Sequence, residues 1–193
     1  MPKMSSNLFI VTAPSGAGKT TLIKKALDYA KNIGEEVHLA VSHTTRKPRA
    51  GEIDGKDYCF VSEEEFKQSV VNNEYLEHAT VHGNLYGTPR NQIENALNQG
   101  SKVLLEIDWQ GALQIIEHFP NAESIFISPP SVDELRHRLT QRGLDSQEVI
   151  ERRIKGAQVE LDQSVHFKHQ ISNISLDIAT KNLLNIMFRE NHG

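Results

Sequence analysis

The chain has 193 residues, with 21 lysines and arginines against 25 acidic residues and a formal net charge of −4. This length fits one domain with inserted lobes and can bury a substantial core. The negative balance argues against a general nucleic-acid binder, which is usually basic. One cysteine, Cys59, excludes an internal disulfide and indicates a reducing compartment. Since there is no signal-peptide core and no apolar run of about 18 residues, we expect a cytoplasmic protein that does not span a membrane.

The first motif is a strand, a glycine-rich turn and a helix in succession. Apolar residues from Leu8 to Val11 predict the strand, and Leu22, Ile23 and Leu27 share one face of the helix. A phosphate-binding P-loop requires this context, in which backbone N–H groups and the helix N-terminus face the phosphates. Its lysine reaches the β- and γ-phosphates and the next hydroxyl binds Mg²⁺. The residues predicted to bind ATP here are Ala13, Pro14, Ser15, Gly16, Ala17, Gly18, Lys19, Thr20 and Thr21.

One position departs from the G-x-x-x-x-G-K-[ST] pattern, because Ala13 replaces its first glycine. Alanine does not easily adopt a positive φ, so the loop needs a conformation that alanine tolerates. The alternative is a glycine-rich turn with no phosphate role. The run Gly-Lys-Thr-Thr between a strand and a helix favours the P-loop.

The segment from residue 38 to 90 differs in character from its flanks. After a C-cap at Gly34 and a strand at 37–41, residues 42–51 are polar, basic and turn-rich. A strand is predicted at 58–61, and Ser62 with Glu65 forms a capping box that starts a helix to about residue 73. Short strands and turns follow through residue 88. We interpret this segment as a small mixed α+β lobe.

Regular alternation of helices and strands resumes after residue 90. Strands are predicted at 103–107, 124–128 and 169–173, and helices at 91–98, 112–118, 131–141 and 146–161. A last amphipathic helix is expected to start at an Asp177 cap and to carry Ile178, Leu183, Leu184 and Met187. With the two earlier strands this makes five, which predicts a parallel doubly wound α/β sheet flanked by helices. Asp108 follows the strand at 103–107, at the edge where such sheets bind ligands.

P-loop proteins include GTPases, ATPases and small-molecule kinases. Asp108 and Gly111 spell D-x-x-G, which occurs in GTPases, but the sequence has no Asn-Lys-x-Asp motif for guanine. A kinase instead needs a second phosphate site and a lid that excludes water. Arg46 and Arg49 suit the phosphate site, because guanidinium groups bind phosphate in a bidentate manner.

A basic cluster suits the lid, where positive charge stabilises the transferring phosphoryl group. Its members are Arg136, Arg138, Arg142, Arg152, Arg153 and Lys155. Any one of them alone is better explained as a solvated surface charge. The cluster gains meaning from the P-loop earlier in the chain.

Several motifs then coincide. They are V-S-H-T-T-R-K-P-R-A-G-E from Val41, G-K-D-Y-C-F-V, G-N-L-Y-G-T and I-D-W-Q-G. Together with the P-loop, they resemble the bacterial-type guanylate kinases over most of the chain. The resemblance implies a P-loop kinase fold with a five-stranded parallel sheet, an inserted GMP-binding lobe and a helical lid. It also implies Mg²⁺-dependent transfer of the γ-phosphoryl group of ATP to GMP, and to dGMP, giving ADP and GDP.

The resemblance assigns residues to each substrate. For the GMP phosphate they are Arg46, Arg49, Tyr58 and Tyr86, and for the guanine they are Ser42, Glu77 and Thr88, with Glu106 and Asp108 also in the GMP site. The catalytic residues are Lys19, Arg46, Arg138, Arg142 and Arg153, Asn173 lies near the adenine, and Thr20 binds Mg²⁺ with Asp108 as a second candidate. The chemistry agrees for Glu77, since a carboxylate accepts the N1–H and N2–H groups of guanine. Taken singly, Glu77 could be an exposed acid and the two tyrosines could be packing residues.

Two further departures from the family pattern concern the sheet. Glu106 stands where the family usually has aspartate, one methylene shorter. The segment around Asn173 lacks the Asn-Asp-Asp pattern expected there. These differences bear on the expected contacts of Glu106 with GMP and of Asn173 with adenine.

The expected domain organisation is a core at residues 1–37, a GMP-binding lobe at 38–90, core again at 91–134, a lid at 135–157 and a core part at 158–193. The expected partners are ATP and GMP, without nucleic acid or membrane, and the sequence does not indicate an oligomeric state. Two alternatives remain open. One is an inactive guanylate-kinase-like binding module, against which the intact Gly16, Gly18, Lys19 and Thr20 argue, and the other is a different P-loop nucleotide kinase.

Overall fold

The computed structural model describes residues 7–81, 83–141 and 146–188. Its strands are β1 (Leu8–Thr12), β2 (Val37–Leu39), β3 (His43–Thr44), β4 (Cys59–Phe60), β5 (Tyr75–Val81), β6 (Asn84–Pro89), β7 (Lys102–Glu106), β8 (Glu123–Ser128) and β9 (His169–Ser172). Its helices are α1 (Lys19–Asn32), α2 (Glu63–Val71), α3 (Arg90–Asn98), α4 (Trp109–His118), α5 (Val132–Gln141), α6 (Gln147–Asp162) and α7 (Leu176–Met187), with a 3-10 turn at Gln163–His166. No helix within these described ranges combines the length and apolar character needed to cross a bilayer.

The predicted five-stranded parallel sheet is confirmed, with the strand order β2-β7-β1-β8-β9. A second sheet of four strands has the order β4-β3-β6-β5 and contains both parallel and antiparallel pairs. The chain divides into two compact units. We call Val37–Ala122, with the N-terminal residues up to Leu8, the mixed-sheet unit, and Phe9–Glu36 with the chain from Glu123 the P-loop unit.

The core of the P-loop unit is built on β1, β8 and their helices. β1 is buried along its whole length, and α1 buries Leu22, Ile23, Ala26 and Ala30. Gly34 ends α1 with a φ of 74°, and the N–H of Glu35 returns to the carbonyl of Ala30 at 2.9 Å. A left-handed glycine that closes a helix in this way matches the predicted C-cap.

Helices α5 and α6 share a hydrophobic cluster that consists of Leu135, Leu139, Ile150, Ile154 and Ala157, with Val132 at its edge. Both helices begin at a predicted serine cap. Ser131 Oγ accepts the N–H of Glu134 at 3.0 Å, and Ser146 Oγ accepts that of Val149 at 3.4 Å. The predicted break at Gly143 lies outside the described residues.

In the mixed-sheet unit, Ser62 and Glu65 form the predicted capping box at the start of α2. Phe66 of α2 is buried and stacks on Tyr75 of β5 with ring centroids 4.6 Å apart. A side chain at Gly87 of β6 would come within 3.0 Å of both rings. The α2 helix therefore packs directly on the four-stranded sheet.

Some predicted boundaries were wrong. α4 begins at Trp109 rather than Ala112, because Asp108 caps it by accepting the N–H groups of Gln110 and Gly111 at 2.9 and 3.4 Å. The N-cap position of α7 is Ser175, whose side chain makes no capping hydrogen bond. Asp177 therefore lies in the first turn, where its negative charge interacts favourably with the helix dipole. Ile178, expected on the buried face of α7, is 61% exposed. β2 ends at Leu39, and the N–H of Val41 donates to the Gln92 side chain.

Candidate functional site

The turn between β1 and α1 has the conformation of a phosphate-binding loop. Gly16 and Gly18 have φ values of 95° and 94°, which disfavour a side chain. The N–H of Ala17 donates to the carbonyl of Pro14 at 3.0 Å, which tightens the turn. Gly18 is the N-cap of α1 and brings no side chain to cover the first N–H groups of the helix. Such a helix start favours an anion through its dipole and its N–H donors.

Ala13 fits the loop without strain. Within the described part of the chain, Asn73 is the only non-glycine residue with a positive φ. Ala13 therefore has a backbone conformation open to any L-residue, and glycine is not required there. The left-handed positions of this loop are Gly16 and Gly18, which the sequence retains.

Asn173, which directly follows β9, is hydrogen-bonded to the P-loop. Its side chain is buried, and Nδ2 donates to the carbonyl of Ala17 at 2.7 Å. Its own N–H donates to the carbonyl of Ser128 at 2.8 Å. A Cβ on Gly18 would lie 2.5 Å from Asn173 Nδ2, so glycine is also required sterically. The structure thus gives Asn173 a bracing contact, and its predicted place near adenine stays a prediction.

A cavity of about 480 Å³ opens beside this loop within the P-loop unit. It is lined by Gly16, Gly18 and Thr21 of the loop and first helix, Arg138 of α5, and Asn173. The cavity therefore adjoins the helix start at which phosphate would bind. Its volume lies in the range usual for small-molecule sites.

Two predicted lid arginines lie beside the P-loop. Arg138 donates from Nε to Glu134 at 2.8 Å and from a terminal nitrogen to the carbonyl of Asn173 at 3.5 Å. Arg153 of α6 donates to Ser15 Oγ in the loop. Leu135, in the hydrophobic cluster of α5 and α6, packs against the loop. A Cβ added at Gly16 would lie 2.8 Å from Leu135 Cδ1. The third arginine, Arg142, lies outside the described residues.

In the mixed-sheet unit, three of the four residues predicted for the GMP phosphate lie together. Arg46 donates from Nε to the hydroxyl of Tyr86 at 3.2 Å, and its guanidinium carbon lies 5.3 Å from the ring centroid of Tyr58. The two tyrosine rings meet edge to face at 5.9 Å. Burial raises the pKa of Tyr58, and the charge of Glu106 adds to this effect. The side chain of Arg49 is exposed nearby in the chain.

Sequence reasoning gave Glu52 no role, yet it organises this group. Its two carboxylate oxygens accept from both terminal nitrogens of Arg46 at 2.9 Å, and Oε2 also accepts the N–H of Arg49 at 2.6 Å. The Glu52 bond raises the pKa of Arg46, and Arg46 lowers the pKa of Glu52. The sequence feature that could have indicated this role is the position of Glu52 in R-K-P-R-A-G-E, three residues after the second arginine.

The three residues predicted to contact guanine form one buried hydrogen-bonded chain. Thr88 Oγ1 donates to Glu77 Oε1 at 2.6 Å and lies 3.2 Å from Ser42 Oγ. Since Thr88 has a single hydroxyl hydrogen, Ser42 donates to Thr88. All three side chains are buried, on strands β5 and β6 and just before β3.

Burial raises the pKa of Glu77 to about 7, the nearby charge of Asp108 adds to the rise, and the Thr88 hydrogen bond opposes it. The Glu77 carboxylate accepts hydrogen bonds from the hydroxyl and the backbone N–H of Thr88. Guanine N–H groups would add further donors. Burial, a polar chain and a perturbed pKa together mark a candidate binding site.

The pKa of Glu77 predicts how stability depends on pH. Its ordinary value is 4.5 and its folded value is about 7, so between these pH values the unfolded chain has lost a proton that the folded chain keeps. The contribution of Glu77 to the free energy of unfolding should therefore fall by about 3 kcal/mol as pH rises from about 4.5 to 7, and then level off. Urea unfolding at pH 5 to 8 measures this. Glu77→Gln should flatten the profile and the exposed Glu64→Gln should not, whereas parallel profiles for all three proteins would refute it.

The similarity to known proteins extends over residues of both units. The family model described as guanylate kinase matches residues 5–190. The chain belongs to the guanylate kinase family. Curated guanylate kinases of Thiobacillus denitrificans and Dechloromonas aromatica are each 48% identical to it, over 96% and 93% of this chain and 87% of each relative. The crystal structure of guanylate kinase from Anaplasma phagocytophilum is 35% identical, with a TM-score of 0.74 over 93% of this chain and 83% of that one.

Family membership confirms the resemblance and the fold class. The parallel sheet carries the P-loop, and the mixed sheet carries the Ser42–Thr88–Glu77 chain. The role of each site residue and the division into core, lobe and lid stay predictions. The predicted site residues therefore form two groups, one around the P-loop and one in the mixed-sheet unit.

Proposed function

We propose that this chain is a guanylate kinase, which transfers the γ-phosphoryl group of ATP to GMP and dGMP and gives ADP and GDP. The observation that carries the proposal is the buried chain of Ser42, Thr88 and Glu77 in the same unit as the Arg46 and Tyr86 pair. The carboxylate accepts the N1–H and N2–H donors of guanine, and adenine would place a lone pair against it. A site built on buried hydrogen bonds rejects a mismatched ligand strongly.

The acceptor oxygen of GMP belongs to an anionic phosphate, so the reaction needs no strong general base. Catalysis consists of positioning and charge neutralisation. In this proposal Arg46 and Arg49 bind the GMP phosphate, with Tyr58 and Tyr86 completing its contacts. Lys19 and the lid arginines, Arg138, Arg142 and Arg153, neutralise the transferring phosphoryl group. Preorganisation of Arg46 by Glu52 supports this role, because its guanidinium is already fixed.

Kinase chemistry of this type generally uses Mg²⁺, and the residues present fit such an ion. Mg²⁺ is usually bound by one or two protein oxygens together with substrate phosphates. Thr20 suits this, because it is exposed in the first turn of α1, two residues after Gly18. We propose Thr20 as the protein ligand, with Asp108 as a second candidate. When held at Thr20, the ion would neutralise negative charge on the substrate phosphates. The cytoplasm is the proposed location, in keeping with one unpaired cysteine.

Measuring ADP release with one acceptor at a time tests the proposal. GMP and dGMP should support rapid ADP release in the presence of Mg²⁺, and AMP, CMP and UMP should support little. Chelation of Mg²⁺ should abolish the GMP reaction. ADP release that is equally fast with AMP would indicate another nucleotide kinase, and no release with any acceptor would indicate an inactive binding module.

A further inference from the structure

Gly111, in the first turn of α4, lies against the carboxylate of Glu77. A Cβ on Gly111 would be 2.2 Å from Glu77 Oε2, 2.7 Å from its Cδ and 3.4 Å from its Cγ. Distances below about 3 Å between carbon and these atoms are far inside van der Waals contact. The carboxylate therefore fills the space that any other residue at position 111 would take.

Nothing in the backbone requires glycine at this position. Gly111 lies within the regular helix α4, and it is not among the glycines with a positive φ. Glycine in a helix is less stable than alanine. The buried environment of Gly111 also gives no reason for flexibility. The steric requirement of Glu77 is the one reason for glycine that the described contacts supply.

A side chain at position 111 would move the Glu77 carboxylate. Oε1 is held by Thr88 at 2.6 Å, so a shift of Oε2 must rotate the carboxylate about this bond or break it. Asp108, which caps the same turn, adds negative charge on that side and opposes a shift toward it. The group that must move is the end of a side chain and not backbone. The fold should therefore persist while the direction of the carboxylate changes.

We propose that Gly111 is a positioning residue that determines base specificity, because its missing side chain leaves the space in which Glu77 faces guanine. This inference rests on the proposed role of Glu77 in GMP recognition. It adds to that role a second element, α4, which sets the direction of the carboxylate. The D-W-Q-G motif thereby has two functions, a helix cap at Asp108 and this space at Gly111.

The test is Gly111→Ala, with Gly156→Ala as the matched control. Gly156 lies within helix α6, and a Cβ there meets no atom within 4 Å. Gly111→Ala should raise KM for GMP about 10- to 100-fold, as expected for the loss of hydrogen bonds to a charged group. KM for ATP should change less than about twofold and Tm by no more than about 2–4 °C, as for a substitution that spares the fold. Gly156→Ala should leave both KM values unchanged and should keep or raise Tm, because alanine favours a helix more than glycine does.

Double variants separate positioning from a general structural effect. With Glu77→Gln present, Gly111→Ala should add little further loss of GMP recognition, because interacting residues are not additive. Effects that multiply, or a Gly111→Ala enzyme with the wild-type KM for GMP, would overturn the proposal. If Gly111→Ala does not fold, the double variant with Glu77→Ala should fold again, since the colliding atoms are gone; a double variant that stays unfolded overturns it as well.

Failure of the proposed function is visible separately. The wild-type protein would then show no preference for GMP in the acceptor assay. The steric claim would still be tested by the pH profile of unfolding, which Gly111→Ala should alter because the Glu77 carboxylate must rotate about its bond to Thr88 or break it. An unchanged profile would overturn the claim about Gly111 whatever the substrate.

Discussion

Replacement of Lys19 by alanine should lower kcat about 10³-fold, since removal of one group that stabilises transition-state charge typically costs 10²–10³. Lys19 is the first residue of α1 and directly follows Gly18, whose φ of 94° shapes the loop. Its ammonium group is the positive charge that a P-loop brings to the β- and γ-phosphates. GMP binding should change little, because the predicted GMP residues lie in the mixed-sheet unit.

The control for this prediction is Lys24→Ala. Lys24 is exposed on the same helix, so its replacement changes net charge equally and touches neither predicted site. Steady-state kinetics with saturating ATP and GMP compare the two variants, and calorimetry measures the GMP affinity of each. A Lys19→Ala enzyme with the wild-type kcat would show that Lys19 has no catalytic role.

Glu77→Gln should lower the preference for GMP over AMP about 10²-fold or more, because sites built on hydrogen bonds discriminate by 10⁴–10⁵ and one buried partner carries much of this. The glutamine amide turns N–H donors toward the N–H donors of guanine, so like groups face each other. The Thr88 hydroxyl at 2.6 Å still finds a carbonyl oxygen, which should keep the fold intact. Glutamine also removes a carboxyl group whose pKa burial raises to about 7.

The measurement is the ratio of kcat/KM for GMP to that for AMP. We expect this ratio to fall more than kcat for GMP does, because Glu77 contacts the base and not the transferring group. Glu64→Gln, in the first turn of α2 and exposed, is the matched control and should leave the ratio unchanged. Undiminished selectivity in Glu77→Gln would exclude this residue as the determinant of base choice.

The parts of the fold that could be predicted are those with local causes. The strand, the glycine turn and the helix from Leu8 to Asn32 follow from a hydrophobic run and a motif that needs this geometry. The capping box of Ser62 and Glu65 is likewise encoded within four residues. All five strands of the parallel sheet were predicted, and the three central ones, β1, β7 and β8, contain the continuous apolar runs expected of buried strands.

The errors at the starts of two helices had different causes. Asp108 was interpreted as a ligand at a strand end, and it also caps α4, which starts the helix three residues early. Asp177 was taken as the cap of α7, although the helix begins after Ser175. The Ser175 side chain makes no capping hydrogen bond, so a search for a capping side chain could not locate the start of α7.

Contacts between residues that are far apart along the chain could not be predicted from the sequence. Asn173 donates to Ala17, 156 positions earlier, and nothing local in either segment indicates this bond. The close approach of the Glu77 carboxylate to Gly111 depends on how α4 packs near β5. Glu52 was missed for a different reason, since it lies close to Arg46 in sequence but looked like one more acid in a polar turn.

The central claim is that guanine is selected by Glu77 in one unit while ATP reacts at the P-loop in the other. Calorimetric titration of GMP into Lys19→Ala and into Glu77→Gln tests it most directly. GMP should bind Lys19→Ala with an affinity close to that of the wild-type protein, and Glu77→Gln at least about 10-fold more weakly, the loss expected for one hydrogen bond to a charged group. Equal weakening of GMP binding in both variants, or in neither, would contradict the account.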